Sequence, residues 1–245
     1  MAINQHNETK IHGETNLLNR FQDYLGEFVY GGIDGSVTTF AVVAGASGAN
    51  LESSIVIILG FANLIADGFA MSVGSYLSTK SEKQNYEKHE AIEYWEVENM
   101  PEKEREEIRE IYEGKGFSGD LLDQVVDTIT ANKDRWVDVM MKEELEIMKE
   151  SKSPLTMGMV TFLSFLLFGF IPLLIYVIDY ASPQEGNLFL IASILTAICF
   201  ISIGWMKSVV TSSSSIRGIS ETLILGAAAA TLSYYVGSFL ESVIS

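Results

Sequence analysis

Five stretches of about 20 predominantly apolar residues, each long enough to cross the hydrocarbon core of a bilayer as a helix, dominate this sequence. They run over 28–48, 54–77, 155–178, 188–206 and 219–240. Soluble core helices are seldom this long and this uniformly apolar, and inside a bilayer a helix satisfies its own backbone polar groups. The composition points the same way, with 48% hydrophobic residues against 20% charged. The expected fold class is an all-α integral membrane protein with five transmembrane helices. Pro172 is expected to kink the third span. Gly226, followed by Ala227 to Ala230, offers a small-residue surface for close packing in the fifth.

The charge in the connections orients the spans, because Lys and Arg are retained on the cytoplasmic side. The first connection carries Glu52 and no base, and the third carries Asp179 and Glu185 and no base. Lys10 and Arg20 precede the first span, Lys207 and Arg217 lie near the fourth connection, and the long second connection is rich in Lys and Arg. These patterns put the amino terminus in the cytoplasm and the carboxyl terminus outside. The segment 1–27 reads as a polar cytoplasmic stretch with neither a secretory signal nor an amino-terminal glycine for myristoylation. A multi-pass protein of a prokaryotic plasma membrane is the expectation.

Residues 81–150 form a different kind of segment, inserted between helices 1–2 (28–80) and helices 3–5 (151–245). It holds 21 acidic side chains against 10 basic ones, most of the net charge of −16. Such a surface repels nucleic acid and suits a cationic partner. The spacing predicts a cytoplasmic three-helix domain: one helix continuing the second span to about Glu98, one from Pro101 to the Gly114-Lys115-Gly116 break, and a third region over 121–150 with a break near Asn132.

Within it, Glu93 and Glu96, and Glu104 and Glu107, are each three apart, which places each pair on one helical face. A fold-back at Asn99-Met100-Pro101 would bring four carboxylates together, an arrangement that repels itself unless a cation neutralises it. Met140, Met141 and Glu144 add sulfur and oxygen on one side of the third region. Oxygen with thioether sulfur suits a borderline first-row ion such as iron(II) or manganese(II) better than magnesium or calcium. The alternative at this point is a solvated face held by surface ion pairs, with the methionines as core filler. The lone His89 is a candidate extra ligand, although a single exposed histidine is more often idle, and the lone Cys199 excludes a disulfide framework and a cysteine zinc site.

Ionisable groups inside the membrane are costly and mark function by default. Asp34, in Tyr30-Gly31-Gly32-Ile33-Asp34-Gly35, and Asp67, four residues before Met71 and one turn after Asn63 in a polar stripe, are the candidates here. The competing readings are an interfacial residue for Asp34 and a packing hydrogen bond for Asp67. Glu221 is expected to open the fifth span, where the helix dipole accounts for an acid.

Tyr30-Gly31-Gly32-Ile33-Asp34-Gly35, Ala62-Asn63-Leu64-Ile65-Ala66-Asp67, Met71-Ser72 and Tyr76-Leu77-Ser78 resemble the vacuolar iron transporter family. Pro101 with Glu104, Glu107 and Ile111-Tyr112, the Met140-Met141-Lys142-Glu143-Glu144 run, Ile171-Pro172-Leu173, Arg217-Gly218 and Gly226-Ala227-Ala228 follow in family order over nearly the whole chain. The resemblance implies a homodimer that is not an enzyme. It implies movement of ferrous iron out of the cytoplasm in exchange for protons, with manganese, zinc or cobalt accepted at the same sites. Matched position by position, it implies that Glu93, Glu96, Glu104, Glu107, Met140, Met141 and Glu144 bind metal and that Asp34 and Met71 line the path. The sequence departs from the family at Ser75, where many members carry an acid, and at Ala70, where serine is frequent. The alternatives are a metal sensor or store in the membrane, and a di-iron oxidase. The oxidase reading lacks the Glu-x-x-His motifs of such sites.

Overall fold

The computed structural model describes residues 17–211 and 213–244, so the expectation for the start of the chain, Lys10 included, lies outside the described residues. Those residues contain helices and no strand. The helices are α1 (Leu17–Gly48), α2 (Ser53–Asn99), α3 (Pro101–Gly114), α4 (Gly119–Thr130), α5 (Lys133–Val139), α6 (Pro154–Gly169), α7 (Leu174–Ala181), α8 (Leu188–Val210) and α9 (Ser215–Ile244). The chain divides into two compact units: Leu77–Lys152 is one, and the described residues on either side of it form the other. α2 contributes to both.

Five helical segments among the described residues are long and apolar enough to cross a membrane: Tyr24–Gly48, Ser53–Asn99, Pro154–Ala181, Leu188–Val210 and Ser215–Ile244. In the third of these a 3₁₀ turn at Ile171–Leu173, with Pro172 buried in it, separates α6 from α7. This is the expected proline break, since proline removes a backbone donor and crowds the preceding turn. The burial pattern reverses that of a soluble bundle. In α9 only 11% of the most apolar window is buried, and Ile224, Leu232 and Phe239 face outward. Water would penalise such a surface, whereas lipid does not.

Glycines line the closest helix contacts. α1 lies against α6, α8 and α9. Gly31 and Gly35, one helical turn apart, receive the backbone of α6 at Thr161 and Phe165. Farther along, Gly45 meets Gly237, and Gly48 meets Tyr234 of α9. Without a hydrophobic force between helices in lipid, close backbone approach is the main source of adhesion. A methyl group at Gly237 would run into the Gly45 carbonyl oxygen, which is backbone and cannot swing aside. Gly237→Ala should therefore cost about 1–3 kcal/mol, read as a lower Tm in detergent. Gly74→Ala is the matched control, because nothing lies within 4 Å of its added methyl, and it should keep the wild-type Tm.

The second unit has a core of Tyr86, Val97, Ile108, Leu122, Val126, Ile129, Trp136, Val137, Met140 and Met141. Pro101 opens α3 at its first turn, where a missing N–H costs nothing. The Asn132 side chain accepts a hydrogen bond from the Arg135 backbone N–H at 2.9 Å and caps α5. The structure corrects the expectation of a helical region reaching Glu150. After α5 the chain widens into a π-turn at Met140–Glu144, with Leu145 N–H bonding to the Met140 carbonyl, and the helix ends there. Glu146 adopts a left-handed φ of 53°, which no helix can continue. The widened turn leaves both methionines fully buried while the backbone departs.

Candidate metal centre

Glu93 and Glu96 come from the end of α2 and Glu104 from the start of α3, on the two sides of the Asn99-Met100-Pro101 turn. Each of the three offers a carboxylate oxygen within 4.8 Å of the other two. Glu93 is 3% exposed and Glu104 1%. Glu93 Oε2 and both carboxylate oxygens of Glu104 are buried without a hydrogen-bond partner. Buried carboxylate oxygens normally have hydrogen-bond partners, so these three, with the Lys103 ammonium no nearer than 3.8 Å to Glu104, require another explanation. A cation held among them is the simplest.

The neighbouring acids show the contrast. Glu98 pairs with Lys133, Glu143 with Lys115, and Glu106 with Arg109, all at partly or fully exposed positions. The surface ion-pair reading describes those residues. Glu107 is intermediate: partly buried, it takes the Lys103 ammonium at 2.7 Å. Glu144 is exposed at the end of the π-turn, yet it lies close enough to act on Glu93.

Electrostatics follow from this crowding. Burial, followed by repulsion from Glu144, Glu96 and Glu107, pushes the Glu93 carboxyl up to about 7. Burial, then Glu107, Glu96 and Glu93, pushes Glu104 up to about 7 as well. Partial loss of hydration beside the other acids, then repulsion from Glu107, raises Glu144. Lys103 opposes all three shifts. The result is a site whose carboxyls hold protons to a higher pH than ordinary ones do. Met140 and Met141 are fully buried in the core of this unit. His89 is half-buried and does not belong to the converging group.

In the other unit, Asp34 and Asp67 are both half-buried, and the Asp67 carboxylate is near enough to act on that of Asp34. The Asn63 amide nitrogen is buried without a partner. Met71 is partly buried against the cluster that contains Leu64 and Phe165. Ser72 Oγ donates to the Gly158 carbonyl at 2.8 Å and ties α2 to α6. Thr38 Oγ1 donates to the Asp34 carbonyl at 2.8 Å.

Sequence reading missed Glu27, which fell at the end of the polar segment. Its Oε2 accepts from Ser75 and Thr161, each at 3.4 Å. The available signal was its place seven residues before Asp34, two turns along the same face of α1. Glu221 also departs from expectation. α9 begins at Ser215, so Glu221 lies in its second turn, beyond the strongest dipole effect, and it pairs with Lys207 at 2.8 Å and Arg217 at 3.0 Å.

The sequence profile of the VIT family matches residues 25–238, which includes every site residue above. The chain belongs to the VIT family. Among curated VIT relatives, a protein of Toxoplasma gondii named vacuolar iron transporter is 36% identical over 94% of this chain and 78% of its own length. Vacuolar iron transporter 1 of Tulipa gesneriana is 31% identical over 90% of this chain and 89% of its own. Vacuolar iron transporter 1 of Arabidopsis thaliana is 31% identical over 88% and 85%. These names speak of vacuoles, whereas the sequence pointed to a plasma membrane. VIT membership together with the five apolar helices makes this a multi-pass membrane protein.

Proposed function

We propose that this chain exports ferrous iron from the cytoplasm in exchange for protons, and that it does so as a homodimer. The observation that carries the reading is the pair of buried carboxylates, Glu93 and Glu104, with oxygens that lack a hydrogen-bond partner, converging with Glu96 in a member of the VIT family. Relatives over most of the chain are named iron transporters, which supports iron as the cargo. Manganese, zinc and cobalt are ions that the same donors accept.

In this reading the acidic unit faces the cytoplasm, as the bases of its sequence require, and the carboxyl terminus lies outside. Glu93, Glu96, Glu104, Glu107 and Glu144 supply oxygen ligands, and Met140 and Met141 supply sulfur. The unit gathers metal at low free concentration. Asp34 and Met71 of each subunit then hold the partly dehydrated ion between the subunits, with Asp67 and Asn63 lining the path. Protonation of Asp34 from the outer side releases the ion, because a neutral carboxyl is a poor ligand.

The test is ferrous ion flux into sealed proteoliposomes with a pH dye on the opposite face. Metal movement with proton counterflow is the expected result. Tight metal binding without flux would overturn export and favour a sensor or store.

A further inference from the structure

Among the ion-paired bases of the acidic unit, Lys103 has distinctive partners. Arg105 pairs with Asp127, Arg109 with Asp123 and Glu106, Lys115 with Glu143, Lys133 with Glu98, and Lys142 with Asp138. None of those acids belongs to the converging group. The Lys103 ammonium lies 2.7 Å from Glu107 and 3.8 Å from Glu104, at the cluster itself. Its side chain is 60% exposed whereas that of Glu104 is 1% exposed, so a flexible stem delivers the charge from the solvent side to a buried anion.

We propose that Lys103 is a tethered, displaceable counter-cation of the metal site: it occupies the carboxylates between loads and is expelled when a divalent ion binds. This rests on the reading that the cluster binds the transported metal. The physical case has three parts. Several carboxylates within a few ångströms repel one another, and a nearby positive charge relieves that cost in the metal-free protein. Lysine suits the task because its ammonium is a compact point charge on a mobile stem that withdraws into water without disturbing the fold. A divalent ion brings twice the charge and binds several oxygens at once, so it wins the competition, but its net affinity is lowered by the ammonium it displaces. Tethering keeps that competitor at high effective concentration whatever the solution contains. The consequence is a site weak enough to release its ion again, as transport demands.

Two substitutions act in opposite directions. Lys103→Gln keeps the length and removes the charge. Lys103→Arg keeps the charge and adds a planar fork that grips carboxylates in two places. Full-length protein in detergent is titrated with cobalt(II) by calorimetry. Lys103→Gln should bind cobalt about fivefold more tightly than wild type, and Lys103→Arg more weakly, in keeping with the modest strength of a partly exposed ion pair. Lys142→Gln makes the same charge change on a base paired outside the cluster, and should stay within about twofold of wild type. Unchanged or weakened binding in Lys103→Gln, or an equal gain in Lys142→Gln, overturns the proposal. Glu104→Gln separates the two levels. If it loses cobalt while Lys103→Gln is unaltered, only the counter-cation role fails; if binding is indifferent to Glu104→Gln, the site itself fails and the proposal with it.

Discussion

Asp34→Asn is expected to abolish ferrous ion flux in proteoliposomes, with cobalt binding by the acidic unit persisting at wild-type strength. The substitution keeps shape and most packing, and removes the charge on a half-buried group of a membrane-spanning helix. A neutral amide cannot offset the cost of partly dehydrating a divalent ion, nor can it alternate between charged and protonated forms to drive release. Asp67 acts electrostatically on Asp34. Asp67→Asn therefore belongs in the same experiment: a milder loss of flux is expected if its role is mainly packing. Normal flux in Asp34→Asn would remove the proposed path. The binding readout is independent, since the proposed acidic ligands belong to the other compact unit.

The second large effect concerns pH. Divalent metal needs the ionised carboxylates, and Glu93 and Glu104 titrate near 7, well above the ordinary 4.5. Cobalt affinity should be nearly flat above pH 8 and should fall below pH 7 by about tenfold per pH unit for each proton that must leave. The double variant Glu93→Gln, Glu104→Gln should lose at least about tenfold in affinity at pH 8 and most of the pH dependence below 7. Stability without metal moves the opposite way. The folded-state values are raised above the unfolded one, so the folded unit holds extra protons between about 4.5 and 7. That contribution is complete below pH 4.5 and is lost as pH rises through about 7. With a chelator present, wild type should unfold at a lower temperature at pH 8 than at pH 6, by more than the double variant does. Equal shifts in the two proteins would show that these carboxyls do not carry the effect. Calorimetry at the two pH values provides both readouts.

The contrast between sequence and structure can be traced to individual residues. The five spans were legible because bilayer thickness is a one-dimensional constraint, written in consecutive residues. Pro101, the Gly114 break and Asn132 were legible for a similar reason, since caps act within a turn or two of the chain. The pairing of Glu93 with Glu96 and of Glu104 with Glu107 was legible as spacing. Spacing could not separate these acids from Glu98, Glu106 and Glu143, which lie in similar surroundings along the chain. Only the fold decided that Glu93 and Glu104 are buried, with oxygens that lack hydrogen-bond partners, while the other three are partly or fully exposed and paired with a base. Likewise the helix toward Glu150 ends early because Met140 and Met141 are drawn into a core built from α2, α3 and α4. Glu27 gained its hydroxyl neighbours from Ser75 and Thr161, which lie 48 and 134 residues away. Periodicity and capping report forces that act along the chain and so survive in the sequence. Burial and charge pairing depend on which distant segments meet, and that is settled only when the helices pack.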